Sequence, residues 1–423
     1  MRFVADYTRP LGNLADRAGL RGRALADLVR LGIRVPPGFV VSDVVCRRFL
    51  ETGDIPSDAW EEIEAALVTV SHAFASMGVT RPQLFAVRSS PGVAMPGVLN
   101  SALYLGATTG VLSMLATAQG PGFAATVRLG FLETLGLMRG LSPARYPSLL
   151  ADVAGPEAEA ALTTAQLDAL AAAYRDLIVE ESQRSIPDDV PGQLREAIES
   201  VFASWDRIEA RRHRRRHGIA DEDGMAVVIH PMIFGELPGD SGAGTVFSRD
   251  PVEGTPNVSG IYAPGESRPR VAIDDPRLSE LSAAGPGASL VEVVRRLEIE
   301  WGELVRLDYV REGGEVWVID GRVAERSTQA AVRVAVEFVD EGLHSIEDAL
   351  LSIDPERLGG ILHPRFVTPP YAPPMARGLA SSPGVAAGPV VLTAADAIDS
   401  ADAGLPAILV LREVLPRDLD GVA

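Results

Sequence analysis

Three stretches of this chain combine side-chain types and spacing suited to a phosphorylated ligand. In VRSSPGVAMPG, residues 87–97, glycine and proline permit backbone shapes closed to other residues, and Arg88 stands at the end of a strand pattern. Backbone N–H groups in such a loop can cradle phosphate, and a guanidinium adds a rigid fork of donors. In GDSGAGTVFSRDP, residues 239–251, the small residues at 241–244 allow the backbone close to an anion, and Arg249 follows on the strand as Arg88 does. Taken alone, either loop reads more simply as a surface or hairpin turn than as a phosphate site. The third stretch, LVRLDYVREGGEVWVIDGR, reads as two alternating strands around a Gly-Gly turn. Alternation places Arg306, Asp308 and Val310 on one face of the first strand, and Val318, Asp320 and Arg322 on one face of the second. Asp308 and Asp320 then suit either of two roles: joint ligation of Mg²⁺ together with phosphate oxygens, or a cross-strand ion-pair ladder with Arg306 and Arg322.

Other chemistries lack their residues. His213 and His217 have helical i, i+4 spacing but sit in RRHRRRH at 211–217, where arginines repel a cation; that run reads as a solvated helix face. His72, His230, His344 and His363 are scattered. There is no H-E-x-x-H, C-x-x-C, G-x-S-x-G or G-x-x-x-x-G-K-[ST], so zinc protease, dithiol, nucleophile-elbow and P-loop chemistry are not indicated.

The elements that must position these residues follow from local pattern. RGRALADLVRLG has helical spacing and a stop at Gly32; VPPGFVV and FAVRSS read as short strands. Residues 1–110 thus form a first α/β subdomain, and 111–224, rich in alanine and leucine, a helical insertion closed by Gly218. Strands return over 225–325, and two helices complete a second subdomain ending near 360. Residues 361–377 are proline-rich and read as an extended linker, and 378–423 as the opening of a further domain. At 423 residues the chain suggests two to four domains.

Its 57 acidic against 39 basic residues leave a net charge of −18, which repels nucleic acid and anionic membrane. One cysteine, Cys46, no apolar N-terminal leader and no apolar run of membrane-spanning length fit a cytoplasmic protein.

Taken in order, the motifs RGRALADLVRLGIRVPPGFVV, FAVRSSPGVAMPGVLNSALYLG, VVIHPMIFGELPGDSGAGTVFSRDP, VWVIDGRVAERS and ILHPRF resemble those of the pyruvate, phosphate dikinase family. GLASSPGVAAGPVVLTAADA resembles the start of that family's swivelling phosphohistidine domain, and the chain ends before a T-S-H-A histidine. The resemblance implies an α/β (α+β) ATP-grasp fold with a helical insertion, then an incomplete phosphohistidine domain. It implies ATP and Mg²⁺ as cofactors and transfer of the β-phosphoryl group to a histidine supplied in cis or in trans. A degenerate nucleotide sensor or scaffold, or a gene fragment, are the alternatives, and a homo-oligomer is compatible with the family.

By resemblance Arg88 and Arg322 are the catalytic arginines, and Arg21 stands where the family has the lysine of G-K-G. Met232 and Ile233 fall at the adenine-side linker, and Gly242, Gly244, Thr245 and Arg249 at the loop over the phosphates. Asp308 and Asp320 are the expected metal ligands, although the family's D-x-E is Arg306 and Asp308 here and its Q-x-R is Asp320 and Arg322.

Overall fold

A computed structural model describes residues 2–95, 98–142, 145–154, 162–267, 279–280, 285, 287–358 and 385–411. The chain divides into two compact units, one of residues 1–250 with 256–324, the other of 251–255 with 325–423. The first contains, in order, β1 (Val4–Asp6), α1 (Gly19–Arg30), β2 (Phe39–Val41), α2 (Asp43–Thr52), α3 (Ser57–Ser76), β3 (Phe85–Ser90) and β4 (Ser101–Leu105). Six helices follow: α4 (Thr109–Gln119), α5 (Pro121–Met138), α6 (Arg145–Ala154), α7 (Thr164–Ser182), α8 (Val190–Ala203) and α9 (Ile208–Arg216). Then come β5 (Ala226–Pro231), β6 (Gly242–Phe247), β7 (Ser259–Pro264), β8 (Ser279–Glu280), α10 (Val291–Trp301), β9 (Val305–Glu312) and β10 (Glu315–Val323). The second unit holds α11 (Thr328–Asp340), α12 (Ile346–Leu351), α13 (Pro355–Leu358), β11 (Val390–Val391), α14 (Ala394–Asp402) and β12 (Ile408–Leu409).

Two five-stranded sheets organise the first unit, in orders β1-β2-β5-β3-β4 and β10-β9-β6-β7-β8, with antiparallel neighbours throughout. This is mixed α and β structure built on antiparallel sheets. The sequence boundary at 225 assigns β5 to the second subdomain, yet β5 pairs with β2 and β3 at the centre of the first sheet. All six of its residues are buried, as a central strand covered on both faces requires. Its place depends on long-range pairing that local pattern does not carry.

The stretch read as a helical insertion carries α4 to α9. α7 begins with a capping box in which Thr163 and Gln166 satisfy each other's backbone N–H groups. Of the basic run on α9, Arg214 turns inward, lying 4.4 Å over the Trp205 ring and donating from Nε to Asp221 at 2.9 Å. Among the described residues no helix is long and apolar enough to cross a membrane.

α1 packs with both sheets, and α10 against β9 and β6 of the second: Leu25 and Leu28 share a core with Val40 and Val228 of the first sheet and with Leu307, Tyr309 and Val318 of the second. The expected hairpin of β9 and β10 forms, turning at Gly313 and Gly314, whose φ of +57° and +89° only glycine adopts freely. Its register departs from simple alternation. Val318 pairs with Tyr309, but Asp320 pairs with Asp308, so Ile319 is an extra residue in β10. Val318 consequently joins the core of Leu307 and Tyr309, while Trp317 and Ile319 join Ile233, Ala243 and Val310 on the other face. Val318 therefore does not share a face with Asp320, contrary to the alternation reading. The bulge is what sets Asp320 directly across from Asp308.

Gly242 and Gly244 lie within β6. A Cβ on Gly244 would stand 2.3 Å from Tyr309 Cζ, and one on Gly242 would stand 2.5 Å from the Tyr262 hydroxyl. Gly244→Ala is expected to destabilise the protein by about 1–3 kcal/mol through overpacking. Urea unfolding checks this, and Tyr309→Leu in the same chain should recover part of the loss.

In the second unit, Ser327 caps α11 by accepting from Ala330 N–H at 3.0 Å, and β11 pairs in parallel with β12. The linker expected at 361–377, residues 378–384 and 412–423 of the last expected segment, and Pro96 and Gly97 of the first loop lie outside the described residues.

Candidate functional site

Arg21 reaches the site because the start of α1 sits against the end of β3. Leu20 N–H donates to Pro91 O at 2.9 Å, Gly22 N–H to Ser90 Oγ at 3.1 Å, and Ser90 Oγ in turn to Ala18 O at 2.7 Å. Gly19, at φ +67°, permits the approach, since a Cβ there would lie 1.8 Å from Ser90 O. Within the first turn of the helix, Arg21 donates to Ser89 O of the first sheet and, through Nε and Nη2, to both oxygens of Asp320 in the second, at 3.0 and 2.9 Å. Arg21 thus joins the two sheets at one point.

From there charges alternate across the hairpin. Arg322 Nη1 donates to Asp320 Oδ2 at 3.1 Å, and its Nη2 lies 3.6 Å from Asp308 Oδ2. Asp308 Oδ1 accepts from Arg306 Nε at 2.9 Å and from Thr245 Oγ1 at 2.6 Å. Burial alone would raise the Asp320 pKa, but Arg21, Arg322 and Arg88 outweigh it and hold it down at about 2. Burial opposes the charge on Arg21, and Asp320 overcomes that too, so its pKa is raised. Arg322 is the most solvent-exposed of these groups, with 41% of its side chain accessible. The ladder leaves three guanidiniums against two carboxylates.

Beside the ladder is a small recess bordered by Arg88, Leu103, His230, Met232, Val310 and Ile319, with Ile233 and Ser267 completing the wall. The segment after β5 runs along it and is pinned by a second ion pair. Arg81 donates to both carboxylate oxygens of Glu312 on β9 at 2.7 and 2.8 Å, and to Met232 O at 2.7 Å. Glu312 also accepts from Phe234 N–H at 2.7 Å, while Met232 N–H donates to Leu84 O at 2.7 Å. Sequence reasoning passes over Arg81 and leaves His230 among scattered histidines. The only signal for His230 is one polar side chain inside the otherwise apolar run VVIHPM.

The site therefore gathers Arg21, Arg88, Met232, Ile233, Thr245, Asp308, Asp320 and Arg322, and other expected members fall elsewhere. Arg249 is buried and paired through Nε with the equally buried Glu298 of α10 at 3.0 Å, because a charge in that position requires a partner. Gly242 and Gly244 have their missing side chains accounted for by Tyr262 and Tyr309, a role in packing rather than in a phosphate loop. Asp308 and Asp320 also differ from expectation. A magnesium site uses one or two carboxylates with free lone pairs together with phosphate oxygens and water. Here both Asp320 oxygens accept from Arg21, Asp308 accepts from Thr245 and Arg306, and the surrounding charge is positive. These residues do not fit a two-carboxylate magnesium site; the ladder alternative describes them. Asp308→Asn is accordingly expected to leave the ratio of ATP affinities with and without Mg²⁺ unchanged within about 3-fold. Calorimetric titration of the variant and the parent checks this.

Two sheets joined through Arg21, a cluster of arginines and carboxylates and an adjoining small recess define the class: an α+β protein with a charged site where its sheets meet. The comparisons with known proteins agree. Residues 51–272, just over half the chain, match the family model described as "Pyruvate phosphate dikinase, AMP/ATP-binding domain". The chain is 32% identical over 427 residues to pyruvate, phosphate dikinase 2 of Oryza sativa subsp. japonica, covering 97% of this chain and 48% of the relative. With the chloroplastic pyruvate, phosphate dikinase of Flaveria pringlei it shares 32% identity over 436 residues, 99% of this chain and 46% of the relative. With pyruvate, phosphate dikinase 1, chloroplastic, of Arabidopsis thaliana it shares 31% over 436 residues, 99% and 45%. The chain belongs to the pyruvate, phosphate dikinase family and corresponds to its AMP/ATP-binding region; it spans about half the length of the curated relatives it matches.

Proposed function

We propose that the first unit is an ATP-grasp nucleotide site that carries out the nucleotide half of a dikinase-type phosphotransfer. ATP lies between the two sheets, its base in the recess beside Met232 and Ile233 and its phosphates on Arg88, Arg21 and Arg322. The observation that carries this reading is the convergence of guanidiniums from α1, β9 and β10 where the sheets meet, next to that recess. Phosphoryl transfer asks of the protein mainly positioning and neutralisation of charge on the transferring group. Arg322, the exposed member, and Arg88 are placed to supply the latter. Thr245 and Arg306 hold Asp308, and Arg21 holds Asp320, so the carboxylates fix the arginines toward the phosphates. Any Mg²⁺ is bound through the nucleotide rather than by Asp308 and Asp320. The β-phosphoryl acceptor is a histidine on a phosphohistidine domain, in cis or in trans, with pyruvate and phosphate as the final acceptors by analogy with the relatives' names.

Incubation with ATP labelled on the β-phosphate and a dikinase phosphohistidine domain added in trans tests the half-reaction. Labelled histidine and free AMP are expected. ATP binding with neither product would instead favour a nucleotide sensor, the reading to which the arginine-saturated carboxylates also lend themselves.

A further inference from the structure

His230 is a buried histidine whose hydrogen bonding is half complete. It lies on β5, opposite Ala86 of β3, and is 1% exposed. Its Nδ1 is 2.8 Å from Pro231 O, so this nitrogen carries the hydrogen and donates it. Nε2 is then the acceptor nitrogen, and it is buried without a hydrogen-bond partner. Burial, with Arg88 and Arg21 nearby, lowers the pKa to about 3, which keeps the ring neutral and its lone pair available at physiological pH.

The ring borders the recess together with the apolar Leu103, Met232, Ile233, Val310 and Ile319 and with the polar Arg88 and Ser267. The linker's own polar groups are largely engaged: Met232 O by Arg81, Met232 N–H by Leu84 and Phe234 N–H by Glu312. A buried acceptor left unpaired is costly, and its presence in a recess is explained by a ligand that brings a donor. An N–H on a flat, largely apolar body meets that requirement against the apolar part of the lining.

Resting on the nucleotide-binding reading above, we propose that His230 is the base-selecting residue, accepting a hydrogen bond at Nε2 from the exocyclic amino group of adenine. The 6-oxo purines present a carbonyl at that position. A carbonyl oxygen and the Nε2 lone pair repel each other, and the neutral ring has no second proton to offer.

The test is calorimetric titration of the full chain with ATP and with ITP, which differ at the 6-position, followed by the same pair on His230→Leu and His230→Gln. The parent should bind ATP about 10–100-fold more tightly than ITP, the range one buried hydrogen bond provides. His230→Leu should bring the two within about 3-fold, mostly by weakening ATP, and His230→Gln, which retains an acceptor, should keep most of the preference. The parent's ratio needs no substitution and stands even if a variant fails to fold. Tight binding of both nucleotides by the parent, or an unchanged preference in His230→Leu, overturns the base-selecting role and leaves the nucleotide site standing. Binding of neither nucleotide overturns both.

Discussion

Asp320→Ala is expected to lower the stability of the first unit by roughly 3–5 kcal/mol, the cost typical of stranding one partner of a buried ion pair. Arg21, with 18% of its side chain accessible, would lose both carboxylate bonds while remaining fixed by Ser89 O and by the seat of α1 on β3. Replacing both residues with apolar ones, as in Arg21→Met with Asp320→Leu, should return much of the loss, because no charge is then left unpaired. Guanidinium chloride unfolding of the parent, two single variants and the double variant forms a thermodynamic cycle whose coupling should be large. The pairing also has a pH signature. The folded pKa of about 2 lies below the ordinary 3.8, so the stabilisation is fully present above about pH 4 and lost as pH falls through 2. It amounts to roughly 2 kcal/mol, and Asp320→Asn should flatten that limb of the stability curve.

Arg81→Ala should rival it in size, with a functional consequence attached. Arg81 and Glu312 have 4% and 15% of their side chains accessible, and together they hold Met232 O and Phe234 N–H. Removing the guanidinium, which lies 4.4 Å over the Phe234 ring, deprives Glu312 of its ion-pair partner and frees the linker wall of the recess. A stability loss of about 3–5 kcal/mol is expected, read by thermal or chemical unfolding. Arg81→Lys keeps the charge but cannot bridge two carboxylate oxygens and a carbonyl at once. It should retain most of the stability yet weaken ATP binding, since the linker is no longer held in one position. If Arg81→Lys binds ATP as the parent does, the linker does not contribute to the recess as argued.

The hairpin could be read directly from its residues, because alternating strands and a Gly-Gly turn are local signals. The bulge at Ile319 could not: an apolar residue suits either face, so nothing in VWVIDGR marks the extra position. That single residue decides which side chains meet Asp308. Arg88 and Arg249 look alike in sequence, each near the end of a strand pattern beside a Gly-containing stretch, and the position of α10 with Glu298 separates them. Gly242 and Gly244 suggest a phosphate loop for the same reason that they suit tyrosine packing, since both need a missing Cβ. The pairing of β5 with β2 and β3 is set by tertiary contacts across more than 130 residues in sequence, from Phe85 to Pro231. Arg81 carried no signal, because its role depends on Glu312, a residue 231 positions away.

The most direct test of the central claim is calorimetric titration of the purified chain with ATP, repeated on Arg88→Ala and Arg322→Ala. The site described here predicts saturable binding of one ATP per chain, weakened at least 10-fold by either substitution, as the loss of a charge-assisted phosphate contact requires. Absence of binding by the parent, or affinity unchanged when both arginines are removed, would contradict it.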